Sequence, residues 1–293
     1  MKAGRGFPRG FTTRFAPAPT GFLHVGHVVN ALYVWGLARA FDGRVLLRIE
    51  DHDRGRARDE FVEAINEDLA WLGFVPDERV PAQSTRTARY EEVLAVLDAE
   101  ALVYPCDCSR RELARIVPDD FGKETRYPNR CRERHLAADA TLARRVIMEP
   151  GGETFDDLRL GMQTQSPFTQ CGDFLVRDRL GQWSYQFAVS VDDFDQGVDL
   201  IIRGEDLLAS TGRQLRLAEL IGRRQMPRFY HHALVMHPDG EKLSKSRGET
   251  GVREMRAAGS SPADVLGAAA VLAGMKSEPG PISIDEIGAI LRG

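Results

Sequence analysis

An α/β fold, with an open parallel sheet covered by helices on both faces, is predicted by three observations. Short apolar runs at residues 11–15, 45–49 and 200–202 each contain or meet a charged residue at their C-terminal end. Stretches with helical spacing at residues 26–41, 59–72, 86–101 and 211–221 are interleaved with those runs. The first run is joined to the first helical stretch by a stiff turn, Pro17-Ala18-Pro19-Thr20-Gly21. A chain of 293 residues is long enough to bury a large core in one large or two small domains.

The opening strand is short and apolar, and Pro17 and Pro19 end it because each proline fixes its own φ and restrains its predecessor. Val29, Leu32, Tyr33, Trp35, Gly36 and Ala40 recur near helical spacing, so a helix is expected from about residues 24–26 to 41. His24-Val25-Gly26-His27 falls in its first turn. Strand, turn and helix in that order present free backbone N–H groups and the positive end of a helix dipole, where phosphate oxygens bind. Both imidazoles can donate to phosphate, and Gly26 leaves no Cβ between the helix start and an adenine or ribose. Taken alone the tetrapeptide carries little, since His24 and His27 could equally cap or pack.

A second motif changes that balance. The chain has five lysines against thirty-four arginines, and two of the five lie three apart in Lys242-Leu243-Ser244-Lys245-Ser246. A lysine ammonium on its flexible stem can follow charge as it develops on a phosphate. Together the motifs point to ATP, with its Mg2+, bound by His24, Gly26, His27, Lys242, Ser244 and Lys245, and to His24, His27 and Lys245 as catalytic groups. Arg14, Glu50 and Arg203 close three separate strands, where open α/β sheets bind ligands. Two cations and an anion in one crevice suit a ligand with two carboxylates and one ammonium.

The two motifs resemble the HIGH and KMSKS signatures of class I aminoacyl-tRNA synthetases, with Val25 and Leu243 replacing one apolar residue each. The surrounding text is more specific. Arg14-Phe15-Ala16-Pro17-Ala18-Pro19-Thr20-Gly21, Leu47-Arg48-Ile49-Glu50-Asp51-His52-Asp53-Arg54, Trp71-Leu72-Gly73 and Ile202-Arg203-Gly204-Glu205-Asp206-Leu207-Leu208 resemble the glutamyl branch over most of residues 11–250. The resemblance implies a Rossmann-like doubly wound catalytic domain and a glutamate pocket of Arg14, Ala16, Ala18, Glu50, Tyr185 and Arg203. In it the two arginines hold the carboxylates and Glu50 the ammonium. Val189 stands where full glutamyl-tRNA synthetases tend to carry asparagine, so the pocket is related but not identical. Asp192, Asp193 and Asp195 are given no chemistry and are read as organising the following loop.

Fewer than fifty residues follow Ser246, too few for an anticodon-reading module. A glutamate-activating core of this length resembles the glutamyl-queuosine tRNA(Asp) synthetase family. Membership implies activation of L-glutamate without tRNA, then transfer to a ring hydroxyl of queuosine in the anticodon of tRNA(Asp). Three alternatives remain: a truncated glutamyl-tRNA synthetase charging a 3′ end, another HxGH nucleotidyltransferase, and a catalytically silent RNA-binding paralogue.

Cys106-Asp107-Cys108 and Cys131 offer thiolates in a stretch without strong periodicity, and a C-x-C pair can supply two zinc ligands from one tight turn. The family pattern implies Tyr127 as the fourth ligand, while His135 is chemically more ordinary. Free buried cysteines or a disulfide are the alternatives, and Cys171 is read as core. One structural Zn2+ is expected. Four cysteines, no signal peptide and no membrane-spanning run point to a reduced, cytoplasmic setting.

Net charge is −4, so RNA attraction must be local. Residues 106–146 hold ten basic and seven acidic residues, a candidate tRNA surface or a simple arginine bias. The expected organisation is a mobile lead at 1–10, a first catalytic half at 11–104, a zinc-bearing insertion at 105–190, a second catalytic half at 191–250 and a short helical tail at 251–293, in a monomer.

Overall fold

In the computed structural model, residues 6–116, 126–235 and 251–292 are described. β1 (Thr12–Phe15) leads through the proline turn into α1 (Val25–Phe41), then β2 (Arg44–Leu47), α2 (Asp59–Leu72) and β3 (Glu78–Arg79). A 3-10 turn at Gln83–Arg86 runs into α3 (Thr87–Ala99), β4 (Val103–Cys106) and α4 (Arg110–Ile116). Then come β5 (Ala143–Val146), β6 (Glu153–Asp157), β7 (Gly161–Gln165), α5 (Pro167–Gln170) and β8 (Phe174–Arg177). α6 (Tyr185–Asp195), β9 (Leu200–Gly204), α7 (Thr211–Leu220) and β10 (Arg228–His232) follow, and α8 (Val252–Ala257), α9 (Pro262–Leu272) and α10 (Ile284–Arg292) complete the order. The segments expected at 59–72 and 211–221 are helices within a residue of those bounds.

β1 and β2 pair in parallel from Thr12 opposite Arg44 to Phe15 opposite Leu47, and β3 extends that sheet beyond β2. β9 and β10 pair in parallel, β6 adds in parallel to β10, and β7 turns back antiparallel on β6. The two groups meet where β9 runs beside β1. Asp199 donates its N–H to Thr12 O at 3.0 Å, and Thr12 N–H donates to Asp199 Oδ1 at 2.8 Å. Across the molecule the order is β3-β2-β1 and then β9-β10-β6-β7, so the chain winds outward in both directions from the β1–β9 boundary. That boundary is a topological switch point, and the C-terminal ends of its strands carry Arg14 and Arg203.

β4, β5 and β8 form a separate antiparallel sheet packed through Val103, Val146, Phe174 and Val176 against Tyr90 and Leu97 of α3 and Phe187 and Val191 of α6. β6 and β7 precede β8 in sequence yet join the β9–β10 sheet, so the proposed insertion and second catalytic half share a sheet.

The helices after residue 251 are part of the main core. Val265, Leu266, Ala269 and Ala270 of α9 and Ile287 and Leu291 of α10 cluster with Val29, Leu32 and Trp35 of α1. A Cβ on Gly36 would lie 2.7 Å from Ile287 Cγ2 and 2.8 Å from Leu291 Cδ1, so glycine allows the close approach of α10 to α1. Among the described residues, no helix is long and apolar enough to cross a membrane.

Candidate active site

His24 is the N-cap of α1. Its Nδ1 accepts from the Gly26 N–H at 3.1 Å, and its own N–H donates to His27 Nδ1 at 3.2 Å, a reciprocal cap like a capping box. The two rings lie 4.0 Å apart between centroids, so the cap holds both imidazoles at the helix entrance. Gly26 also has a role within the chain: a Cβ there would sit 2.9 Å from His24 Cε1. Its missing side chain makes room first for the capping imidazole.

Lys242, Ser244 and Lys245 lie outside the described residues. Both flanks of their segment nevertheless rest on the same structure. His24 forms an antiparallel bridge with Gly251, and Val252 N–H donates to Leu23 O at 3.0 Å. On the other flank, His232 stacks on Tyr33 of α1 at 4.6 Å and its Nε2 lies 3.1 Å from Asn30 Oδ1. Burial holds His232 well below the ordinary histidine value, at about 4, so this ring is neutral at physiological pH.

Arg14, Glu50, Tyr185 and Arg203 converge at the switch point. Arg14 Nε donates to Asp193 Oδ1 at 3.0 Å and Nη1 to Ile202 O at 3.4 Å. Glu50 Oε1 takes Arg48 Nη2 at 2.9 Å and Nε at 3.3 Å, while Oε2 has no protein partner among the described residues. Arg203 donates from Nε to His231 Nε2 at 3.0 Å, from Nη1 to Gln214 Oε1 at 2.7 Å and from Nη2 to Thr211 Oγ1 at 2.9 Å. A guanidinium has five N–H donors, more than these partners use on either arginine. Burial and then the charge of Glu50 raise the Tyr185 phenol, whereas Arg203 and Arg14 act the other way. Burial depresses Arg203, with Tyr185 opposing and Arg14 adding to it. Ala16 is half-buried and Ala18 exposed in the turn beyond β1, where Pro17 O accepts the Glu50 N–H at 3.1 Å.

Sequence reasoning missed the supporting charges. Arg48 is fully buried and reaches Asp193 at 2.8 Å and Gln196 Oε1 at 2.8 Å as well as Glu50. Asp193 therefore bridges Arg14 and Arg48, which gives it a definite part beyond loop organisation. Burial opposes its ionisation, but the two arginines outweigh that and hold its carboxyl below the usual range. Asp192 takes Arg86 Nε at 2.6 Å, Gln83 Nε2 at 2.8 Å and the Tyr90 hydroxyl at 2.9 Å, and Asp195 pairs with Arg86 and Arg89. Two signals were present: an arginine embedded in the apolar run 45–49, and Tyr185, Val189 and Asp193 at successive fourth positions on one helix face. Val189 is buried on that face.

The thiols of Cys106, Cys108 and Cys131 are buried, with their Sγ atoms all within 4.8 Å of one another. The Tyr127 hydroxyl lies 3.4 Å from Cys106 Sγ and 3.7 Å from Cys108 Sγ, and it accepts the Cys131 N–H at 3.1 Å. His135 is exposed, so Tyr127 is the candidate that completes the group. All three are free thiols, as is Cys171, which is buried. Three sulfurs and one oxygen converging from two chain segments fit a tetrahedral zinc donor set. Arg145 Nε donates to Cys106 Sγ at 3.3 Å and its guanidinium covers the Tyr127 ring at 3.6 Å.

A family model described as tRNA synthetases class I (E and Q), catalytic domain, matches residues 11–286. The fold and the paired motifs thus define an ATP-dependent ligase of the class I aminoacyl-tRNA synthetase type. A glutamyl-Q tRNA(Asp) synthetase of Symbiobacterium thermophilum is 40% identical over 292 residues, covering 94% of this chain and 90% of that protein. One from Burkholderia mallei is 43% identical over 240 residues, 80% of each chain. The chain belongs to the glutamyl-Q tRNA(Asp) synthetase family. A crystal structure of a glutamate tRNA ligase from Elizabethkingia meningosepticum in complex with its amino acid superposes with a TM-score of 0.78 at 26% identity, covering 96% of this chain and 64% of that one.

Proposed function

We propose that this chain activates L-glutamate with ATP, without tRNA, and transfers the glutamyl group to queuosine in the anticodon of tRNA(Asp). Glutamate activation rests on the convergence of Arg14, Glu50, Tyr185 and Arg203 at the β1–β9 switch point. The choice of RNA rests on about 40% identity to relatives named for that product.

Arg14 and Arg203 hold the carboxylates of glutamate and Oε2 of Glu50, which has no partner among the described residues, takes its ammonium, with Tyr185 and the backbone around Ala16 and Ala18 shaping the wall. A glutamate carboxylate oxygen attacks the α-phosphorus of ATP in line. The new O–P bond forms as the bond to the bridging oxygen breaks, and pyrophosphate leaves with the electron pair. His24, His27, the N–H groups opening α1 and Lys245 stabilise that charge, with Mg2+ carried in on the nucleotide and Gly26, Lys242 and Ser244 completing the ATP contacts. A queuosine ring hydroxyl then attacks the carbonyl of the mixed anhydride and AMP departs. The adenylate is already activated, so no dedicated base is required. The enzyme is read as cytoplasmic, where ATP and tRNA meet, and as a monomer.

The decisive measurement is transfer of labelled glutamate to tRNA(Asp) with and without queuosine. Label is expected only in the queuosine-bearing RNA; equal labelling of both, at the 3′ end, would replace this reading with ordinary charging. Arg132, Arg134 and Arg144 are paired with Glu149, Asp107 and Asp98, so the 106–146 stretch offers fewer free phosphate-binding charges than its composition suggests.

Cys106, Cys108, Cys131 and Tyr127 would hold one structural zinc ion, which ties β4 to the loop before residue 131 and leaves no ligand position for water. Elemental analysis is expected to find one zinc per chain. Cys108→Ser should lose it and lower the thermal midpoint by roughly 5–10 °C. Unchanged metal content in that variant counts against the site.

A further inference from the structure

Neither motif draws attention to His231, yet it is fully buried on β10, directly opposite Arg203 on β9. Its Nδ1 lies 2.6 Å from Asp157 Oδ2 at the end of β6, and its Nε2 lies 3.0 Å from Arg203 Nε. Burial opposes ionisation of Asp157, but the hydrogen bonds from His231 and from the backbone N–H groups of Leu160 and Arg159 hold its carboxyl below the usual range. An ionised carboxylate only accepts, so the ring proton sits on Nδ1. A guanidinium has no acceptor, so Nε2 must take the Arg203 proton. The two contacts select one neutral tautomer.

We propose that His231, oriented by Asp157, is the positioning residue that aims the Arg203 guanidinium at a carboxylate of the substrate; this rests on the glutamate site proposed above. A guanidinium is planar, and a bond at Nε fixes its roll about the end of the side chain. Gln214 and Thr211 take one proton from each terminal nitrogen. What remains is a donor pair beside the Tyr185 hydroxyl, its direction set by these three neighbours, of which only His231 acts on Nε.

The surroundings favour the neutral ring. Arg203 faces it from β9, Arg14 from β1 and Asp157 from β6; Thr211 of α7 lies 3.3 Å from Nε2, Phe229 stacks at 5.7 Å, and Arg159, itself paired with Glu205, donates to the His231 carbonyl. Burial first, then the charges of Arg203 and Arg14, depress the ring below the ordinary histidine value, and Asp157 pulls the other way. Protonation at low pH would set an Nε2–H against the Arg203 N–H.

The test compares variants by KM for glutamate and KM for ATP in glutamate-dependent ATP–pyrophosphate exchange. Asparagine at 231 keeps a donor near Asp157 but cannot reach Arg203, whereas glutamine places its oxygen near the former Nε2. His231→Asn is expected to raise KM for glutamate about tenfold to a hundredfold, with KM for ATP held. His231→Gln should recover most of that loss, the reverse of what a role confined to bonding Asp157 would give. Asp157→Asn supplies an independent arm: its amide can donate to Nδ1, which moves the ring proton to Nε2, so KM for glutamate should rise likewise. Equal values for the Asn and Gln variants, or no change in Asp157→Asn, would overturn the positioning role while Arg203→Lys still raises KM for glutamate. If Arg203→Lys leaves that KM unchanged, the glutamate site itself is wrong and the inference falls with it.

Discussion

Asp193→Ala is expected to destabilise the fold by about 3–5 kcal/mol, the usual cost of removing one partner from a buried ion pair. Arg14 at 3.0 Å and Arg48 at 2.8 Å would both lose their shared counter-charge, and Arg48 has no route to solvent. Glu50 and Gln196 still hold Arg48, which limits the damage on that side. Among the described residues, Arg14 is then left with the Ile202 carbonyl as its hydrogen-bond partner. Urea unfolding with an unchanged m-value would show the loss directly as a lower midpoint. A loss under 1 kcal/mol would mean that the cluster does not need its central acid.

The same carboxylate sets a pH dependence. Its folded-state pKa is depressed, so its stabilisation is fully present above the unfolded value near 3.9 and fades as pH falls through the folded one. The wild type should therefore lose stability below about pH 4, and Asp193→Asn, already without that charge, should show a shallower loss there.

The second large effect concerns catalysis. Lys245→Ala is expected to lower glutamate-dependent ATP–pyrophosphate exchange by about a hundredfold or more, as expected when a charge aimed at the developing transition state is removed. Glutamate binding, measured without ATP, should be unaffected because the arginine pocket lies on other elements. The described flanks of that segment both meet the α1 region, Gly251 bridging His24 and His232 packing on Tyr33. Unchanged exchange would discard Lys245 as a catalytic group.

The strand, proline turn and helix that carry His24 were legible because every signal there is local: two prolines, helical spacing and a capping side chain. The strand ends bearing Arg14 and Arg203 could be read for the same reason. What holds those arginines could not, because the partners lie far along the chain. Asp193 is 179 positions from Arg14, and Asp157 is 74 from His231. Strand β6, with the sequence Glu-Thr-Phe-Asp-Asp, has no apolar pattern to announce it, and it forms by pairing along its length with β7 and joining β10 at Asp157 opposite Phe229. In sequence Asp192, Asp193 and Asp195 read as organisers of the following loop, yet α6 turns two of them inward to meet arginines delivered by other elements. The choice between Tyr127 and His135 also needed three dimensions, since both lie within four residues of Cys131 in sequence.

The seating of α10 on Gly36 bears on how the protein is born. α1 leaves the ribosome early, but its apolar flank has no cover until residues 252–292 have been polymerised. Contacts that span so much of the chain form late and leave greasy surface open to chaperones meanwhile. The helix that carries both imidazoles thus acquires its last packing partners only when the final stretch of polypeptide has been made.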